Sequence, residues 1–296
     1  MVETRVLDYY RRQSMFTDPG TCAVLYDDLP QDIVGMARVV QGTLIAPYVF
    51  LLQQYHVEPD EIDNTRFGLH RVEALLQRIQ QRQAAPLTVA RPPALRIGAI
   101  CRNFAVLLVS MLRHQGVPAR LRVGFGGYFS SPRFYDHRIA EYWHEGQQRW
   151  ILADPWIDDM QRQLRNITFD TLDIGPDDPY RLAGDAWLRC RSGELNPDSF
   201  GDSDTDIGMP PIRYALLHDF AALNKLELLG NDDRGELLTK PEADLTNDDF
   251  ALLDRIATLT TQVDTHFDEL LTLFEETAYG QTVRAYAADL PPVVAD

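Results

Sequence analysis

The stretch Arg96-Ile-Gly-Ala-Ile-Cys101-Arg-Asn-Phe-Ala-Val-Leu-Leu-Val-Ser-Met-Leu-Arg-His-Gln-Gly116-Val-Pro-Ala-Arg120 decides how this chain is read. It begins beside Gly98, places Cys101 in the first turn of an expected helix, and closes on Gly116-Val-Pro. Phe104, Leu107, Leu108, Met111 and Leu112 recur at helical spacing, which predicts one buried face. Cys101 lies one turn before Phe104 and Ala105 on that face, at the end where backbone N–H groups and the positive end of the dipole point. Helix N-termini favour thiolates, and the thiolate is the nucleophile. A small cysteine packed as a hydrophobe is the other reading at this point.

Beyond Gly116-Val-Pro the pattern changes to strands. Ala119-Arg-Leu-Arg-Val-Gly-Phe125 alternates apolar and polar residues, as a half-buried strand does. Gly126, Gly127, Ser130, Ser131 and Pro132 read as a loop, His137–Trp143 as a second strand and Gln148–Asp154 as a third. His144-Glu-Gly-Gln-Gln148 is the hairpin signal between the last two. If Glu145-Gly146 is a two-residue loop, His144 pairs with Gln147 and His137 falls opposite Asp154 on one face. A three-residue loop or a bulge shifts the register by one and undoes that facing.

Residues 1–90 read as mostly helical. Asp32 is placed to start a helix through Met36, Val39 and Val40, and Leu44–Tyr55 is apolar enough to be largely buried. Asn64 and Thr65 are capping candidates for a helix with the stripe Leu69, Val72, Leu75, Leu76 and Ile79. After Asp154-Pro-Trp156 comes an acidic, proline-bearing region without a clear period. Helices are expected over 211–228 and, as one long element, from Leu245 to Thr277, capped by Thr246 or Asn247; the end after Tyr279 reads as a loose tail. No sharp linker is visible. The expectation is an α+β chain forming a single domain over 1–296, with a core at about 94–160, a helical N-terminal part (1–90) and a mostly helical C-terminal part (205–280).

The 296 residues hold 28 Lys plus Arg against 44 Asp plus Glu, a formal net charge of −16 that repels phosphate backbones, so no nucleic-acid partner is expected. Cys22, Cys101 and Cys190 stand at unrelated spacings that offer neither a disulfide framework nor a zinc pattern. No metal and no cofactor are expected, since the histidines form no ligand spacing with each other or with the cysteines. The charged N-terminus lacks a signal-peptide stretch and no window has the length of a membrane span, so a cytoplasmic address without membrane contact is the expectation.

A cysteine on a helix, a histidine on a strand and an aspartate on the next strand are the parts of a thiol acyl-transfer site. The residues that carry this resemble a family. Cys101-Arg-Asn-Phe-Ala, Gly116-Val-Pro-Ala-Arg120, Asp136-His137 with Glu141-Tyr-Trp143, and Trp150-Ile-Leu-Ala-Asp154-Pro155 together look like the core of the transglutaminase-like superfamily, over roughly 97–156. That superfamily includes transglutaminases, peptide N-glycanases, bacterial cysteine peptidases and amide-forming enzymes, and the likeness is to bacterial stand-alone members. It implies a papain-like fold, with the nucleophile-bearing helix packed on an antiparallel sheet. It also implies Cys101 as nucleophile, His137 as base and acid, and Asp154 as the residue that orients the imidazole. Asn103 stands where many members have an acidic residue, and Arg138 where an aromatic often follows the histidine.

The function so expected is a thioester formed on Cys101 from an amide or thioester donor and passed to an amine or water. The substrate would be a small molecule, a peptide or a carrier-bound acyl group. The alternative is a catalytically inactive binding module that keeps the fold. Arg102 is a candidate for substrate contact or for structural hydrogen bonds. Tyr128, Tyr135 and Trp156 flank the triad elements and could wall the pocket or belong to the core. The backbone N–H of Cys101 is a natural oxyanion donor.

Overall fold

The computed structural model describes residues 2–64, 69–130, 132–230, 232, 234–291 and 293. In chain order the first elements are α1 (Thr4–Arg11), α2 (Ile33–Thr43), β1 (Leu44–Ile45), α3 (Val49–Gln54), β2 (Asp63–Asn64) and α4 (Val72–Arg82). Next come β3 (Ile97–Gly98), α5 (Cys101–His114), β4 (Ala119–Ser130), β5 (Arg133–His144), β6 (Arg149–Ala153) and α6 (Asp159–Leu164). The chain continues with β7 (Tyr180–Leu182), α7 (Ala183–Arg191), α8 (Met209–Leu223), α9 (Glu236–Thr239), α10 (Asn247–Thr261), α11 (Phe267–Glu276) and α12 (Ala278–Asp289). The fold is α+β, with a four-stranded sheet in the order β6-β5-β4-β7 and a small sheet in the order β1-β3-β2. Among the described residues no helix is long and apolar enough to cross a membrane.

Contacts divide the chain into two compact units. One holds Leu7–Arg120 and Ile139–Gly175; the other holds the residues up to Val6, Leu121–Arg138 and Pro176–Pro291.

The first unit is built around α5. Every side chain from Cys101 to Arg113 is buried, so the helix is enclosed on all sides rather than on one face. The apolar run Ala105–Val109 allows this, and polar residues on the remaining sides find hydrogen-bond partners in the interior. Ser110 shares a 2.8 Å hydrogen bond with the Tyr26 hydroxyl, while Arg113 donates to the Ala119 carbonyl and the Thr17 hydroxyl, each at 2.9 Å. Helices α2 and α4 pack against α5. Asp32 caps α2 by accepting from the Gly35 N–H, as its place in the sequence predicts. Helix α4 starts later than expected: Arg71 is its N-cap, and Asn64 lies in β2 instead, paired in parallel with Gly98. Thr65, the other capping candidate, lies outside the described residues. The segment Leu44–Tyr55 is only partly buried: Leu44, Ile45, Leu51 and Leu52 are internal, but Tyr48, Val49 and Phe50 stand on the surface.

The β5–β6 hairpin has a longer loop than the sequence suggests. A 3-10 turn over Glu145–Gln147 and Gln148 at φ +51° give four loop residues, and His144 pairs with Arg149. Ala140 is then opposite Ala153, so the position opposite Asp154 is Ile139 and not His137. The slip is two residues, and a slip of two keeps every side chain on its original face. In β5 the polar Glu141 is buried and pairs with Arg120, whose guanidinium lies 4.0 Å from the Trp150 ring.

In the second unit, β4 runs on through Gly126–Ser130, residues expected in a loop. Its alternation of apolar and polar residues suggested a half-buried strand, yet Ala119–Gly126 is buried throughout. Arg122 accounts for the second face: it donates to both carboxylate oxygens of Asp219 on α8, at 3.1 and 2.9 Å, and to the Thr260 carbonyl. Antiparallel pairing sets Gly124 opposite Leu182 on β7. A Cβ at Gly124 would overlap the Arg181 carbonyl oxygen, so this close approach needs a residue without a side chain. Gly124→Val is therefore expected to lower stability by about 2 kcal/mol or more, read as a fall in the urea midpoint at unchanged m value; an unchanged midpoint would contradict the packing described.

Helices α7, α8 and α10 pack together. Helix α10 carries a full capping box between Thr246 and Asp249, but the long helix expected to Thr277 breaks after Thr261 and resumes as α11. Thr258, Thr260 and Thr261 turn their hydroxyls back onto preceding carbonyls just before the break, and β-branched residues weaken a helix there. The end after Tyr279 is not a loose tail. It forms α12, with Tyr279, Val283 and Ala287 buried.

Candidate active site

Cys101 owes its position to the small parallel sheet. The Ala99 N–H donates to the Ile45 carbonyl at 2.9 Å, extending the β1–β3 pairing, and Ile100 follows as the N-cap of α5. Ile100 provides no side-chain cap, and Cys101 is the first residue of the helix, 7% exposed. A thiol here has the helix dipole behind it. Arg102 and Asn103 point elsewhere. The Arg102 guanidinium lies 5.6 Å from the Phe16 ring and reaches the Leu69 carbonyl at 3.5 Å, to which Asn103 Nδ2 also donates at 3.1 Å. Arg102 thus has the surroundings of a structural arginine.

Asp154 directly follows β6 and is fully buried. Its N–H donates to the Thr171 carbonyl at 2.7 Å, and its Oδ1 accepts the Trp156 N–H at 3.0 Å. The loop that follows is held from two sides. Gln41 Nε2 donates to the Pro155 and Ile157 carbonyls, and Gln161 Nε2 to the Trp156 carbonyl. Asp158 caps α6 and accepts from the Tyr55 hydroxyl. The Trp156 ring stacks on Phe104, one turn along α5 from Cys101, at 6.1 Å between centroids. The same unit therefore brings together Asp154, Trp156 and the helix of Cys101.

His137 belongs to the other unit and is fully buried on β5. The Tyr180 hydroxyl donates to its carbonyl at 3.0 Å. Its ring meets Tyr128 edge-on at 6.1 Å and Phe129 at 4.8 Å, and Phe129 in turn meets Tyr135 at 6.2 Å. Tyr128 and Tyr135 are thus drawn to the histidine, Tyr128 directly and Tyr135 through Phe129. Phe129 and Tyr180 were not foreseen. The first sits in what reads as a Gly-Ser loop and the second in a region without a period, so neither carries a local signal. Arg138, the basic residue that stands where an aromatic often follows, pairs with Asp136 at 2.6 Å.

The other two cysteines lie apart in character. Burial pushes the Cys190 thiol up to about 11, and burial likewise raises the Cys22 thiol.

Residues 71–155 match the model of the transglutaminase-like superfamily, a span that includes Cys101, His137 and Asp154. The matched segment is under a third of the chain. The match supports a cysteine-based enzyme in general. Among solved structures the chain is similar to a "Putative Cysteine Protease" from Cytophaga hutchinsonii, at 16% identity and a TM-score of 0.29. That alignment covers 52% of this chain and 43% of the other, so less than half of the relative is spanned. A search of curated proteins found no match.

Proposed function

We propose that the protein is a cysteine-dependent acyl-transfer enzyme with Cys101 as nucleophile, His137 as general base and acid, and Asp154 as the residue that orients the imidazole. The Cys101 thiolate adds to the carbonyl carbon of an amide or thioester donor. The Cys101 backbone N–H, at the start of its helix, is the donor to the developing oxyanion. Collapse of the tetrahedral adduct expels the amine or thiol, which takes its proton from His137, and leaves a thioester on Cys101. His137 then takes a proton from an incoming amine or water as it attacks the thioester, and returns it to the departing sulfur. Amide formation follows with an amine, hydrolysis with water. The donor is a small molecule, a peptide or a carrier-bound acyl group.

The observation that carries this reading is Cys101 as the first residue of a helix buried from Cys101 to Arg113, inside the segment that matches the superfamily. Buried aromatic surroundings at His137 and a buried Asp154 support it, because both limit water at the groups that would handle protons.

The test is thiol labelling near neutral pH. One equivalent of iodoacetamide, followed by peptide mass spectrometry, is expected to modify Cys101 well before Cys22 and Cys190, whose thiols burial holds in the unreactive protonated form. Equal rates at all three cysteines would remove the activated nucleophile and favour a binding module that keeps the fold.

A further inference from the structure

We infer that Tyr48, Phe50 and Trp156 form a stacking subsite beside Cys101 for an aromatic or planar apolar group on the acyl donor. The inference rests on Cys101 being the nucleophile and adds the class of donor.

Its first support is register. Strands β1 and β3 are parallel, with Ile45 level with Gly98. Three residues further along each chain stand Tyr48 and Cys101. The Ala99 N–H bond to the Ile45 carbonyl carries the pairing one residue further, so the two chains leave the sheet from neighbouring positions, one leading to the thiol and the other to an aromatic ring.

A second, independent support is a graded ring stack. From Phe104 on the helix of Cys101, centroids follow at 6.1 Å to Trp156, 5.8 Å to Tyr48 and 6.3 Å to Phe50, with interplanar angles of 29°, 20° and 40°. Exposure rises along this series from 2% to 8%, 39% and 50%. The series begins in the core at the nucleophile helix and ends with two partly exposed rings. These rings do not hang loosely. Leu51 and Leu52 anchor α3 in the interior, and the hydrogen bonds from Gln41 and Gln161 fix the Trp156 loop. A preorganised series of rings, stacked from Phe104 through Trp156 to Tyr48 with Phe50 tilted beside them, is suited to accept one more planar group. Arg165, 5.6 Å from the Phe50 ring, places a cation at the outer end, which favours an electron-rich ring.

Tyr48-Val49-Phe50 also departs from what burial would select. Three consecutive large apolar residues stand in water, between internal Leu44–Ala46 and internal Leu51–Leu52. Contiguous exposed apolar surface of this kind marks a contact site, and its continuity with the Cys101 helix assigns the contact to the substrate.

The test uses the full chain as Cys101→Ser, so that binding is read without acylation. Saturation-transfer NMR compares phenylacetamide with isobutyramide, two amides that differ in having an aromatic or an aliphatic group. Phenylacetamide is expected to bind about fivefold or more tightly, with its ring protons saturated most strongly. Tyr48→Ala and Phe50→Ala should each weaken it roughly 3- to 10-fold, the range of one aromatic contact. Val24→Ser, at a residue 68% exposed elsewhere, should leave it unchanged. Equal binding of the two amides overturns the subsite, as does full binding in both alanine variants with unaltered circular dichroism. Concentration-dependent dimerisation abolished by Phe50→Ser would also overturn it, assigning the patch to a second copy. Failure of the nucleophile reading is seen separately, in the labelling of the unaltered chain.

Discussion

Cys101→Ala should yield a folded protein that forms no acyl adduct and turns over no donor. The side chain is small and nearly buried at the start of a helix, and alanine is favourable in helices, so the expected loss of stability is only about 1 kcal/mol. The chemical loss is far larger. Without the thiolate there is no covalent intermediate, and removing a nucleophile from an acyl-transfer site costs on the order of 10⁴-fold or more in rate. Cys101→Ser separates size from chemistry: the hydroxyl fits the site but hardly ionises near neutral pH, so its activity should also collapse. Intact-mass spectrometry of the unaltered chain with a panel of simple amides and thioesters checks this. The adduct mass should vanish in both variants, and its value identifies the acyl group. Turnover surviving in Cys101→Ala would assign the chemistry to another residue.

The largest effect on stability is expected at Asp219. This carboxylate is fully buried on α8, accepts both arms of Arg122 and also takes the Val123 N–H at 2.8 Å. Asp219→Ala takes from the Arg122 guanidinium, itself only 2% exposed, the carboxylate it meets with two hydrogen bonds, and takes from the Val123 N–H its acceptor. Breaking a buried pair in this way costs about 3–5 kcal/mol, equivalent to a fall in Tm on the order of 10 °C. The double variant Arg122→Met/Asp219→Leu should recover much of that loss, because it removes both buried charges together. Calorimetry on the three proteins decides. A single variant as stable as the parent would mean that water reaches the pair.

Much of the site was legible because its signals are local. Helical period and the Cys101–Phe104 spacing can be read within one turn, and the cap at Asp32 within three residues. The order of the motif blocks around Cys101, His137 and Asp154 needs no knowledge of the fold. The hairpin register was misread for a nearby reason. Glu145-Gly146 looks like a two-residue loop, but Gln148 adopts a left-handed conformation that glycine or asparagine usually signals.

Other features depend on partners remote in sequence. The alternation in β4 indicates one polar face, and only the arrival of Asp219, 97 residues away, turns Arg122 into an interior residue. The same holds for α5, whose apolar stripe predicted one buried side but which is enclosed all round. Leu44–Tyr55 shows the reverse. Its composition predicts burial, while α3 ends up with Tyr48, Val49 and Phe50 on the surface, because hydrophobicity says what a residue can bury and not whether the fold has room for it.

By itself, then, the sequence determined the α+β class, the likeness of residues 71–155 to the transglutaminase-like superfamily and the three residues proposed for the chemistry, since each is written in short-range spacing or in the order of blocks. Only the tertiary structure decided which polar residues are internal, that a ring stack leads from the Cys101 helix to the surface, and that aromatic rings surround His137. Those outcomes depend on which elements meet, and contact across tens of residues leaves no periodic trace in the chain.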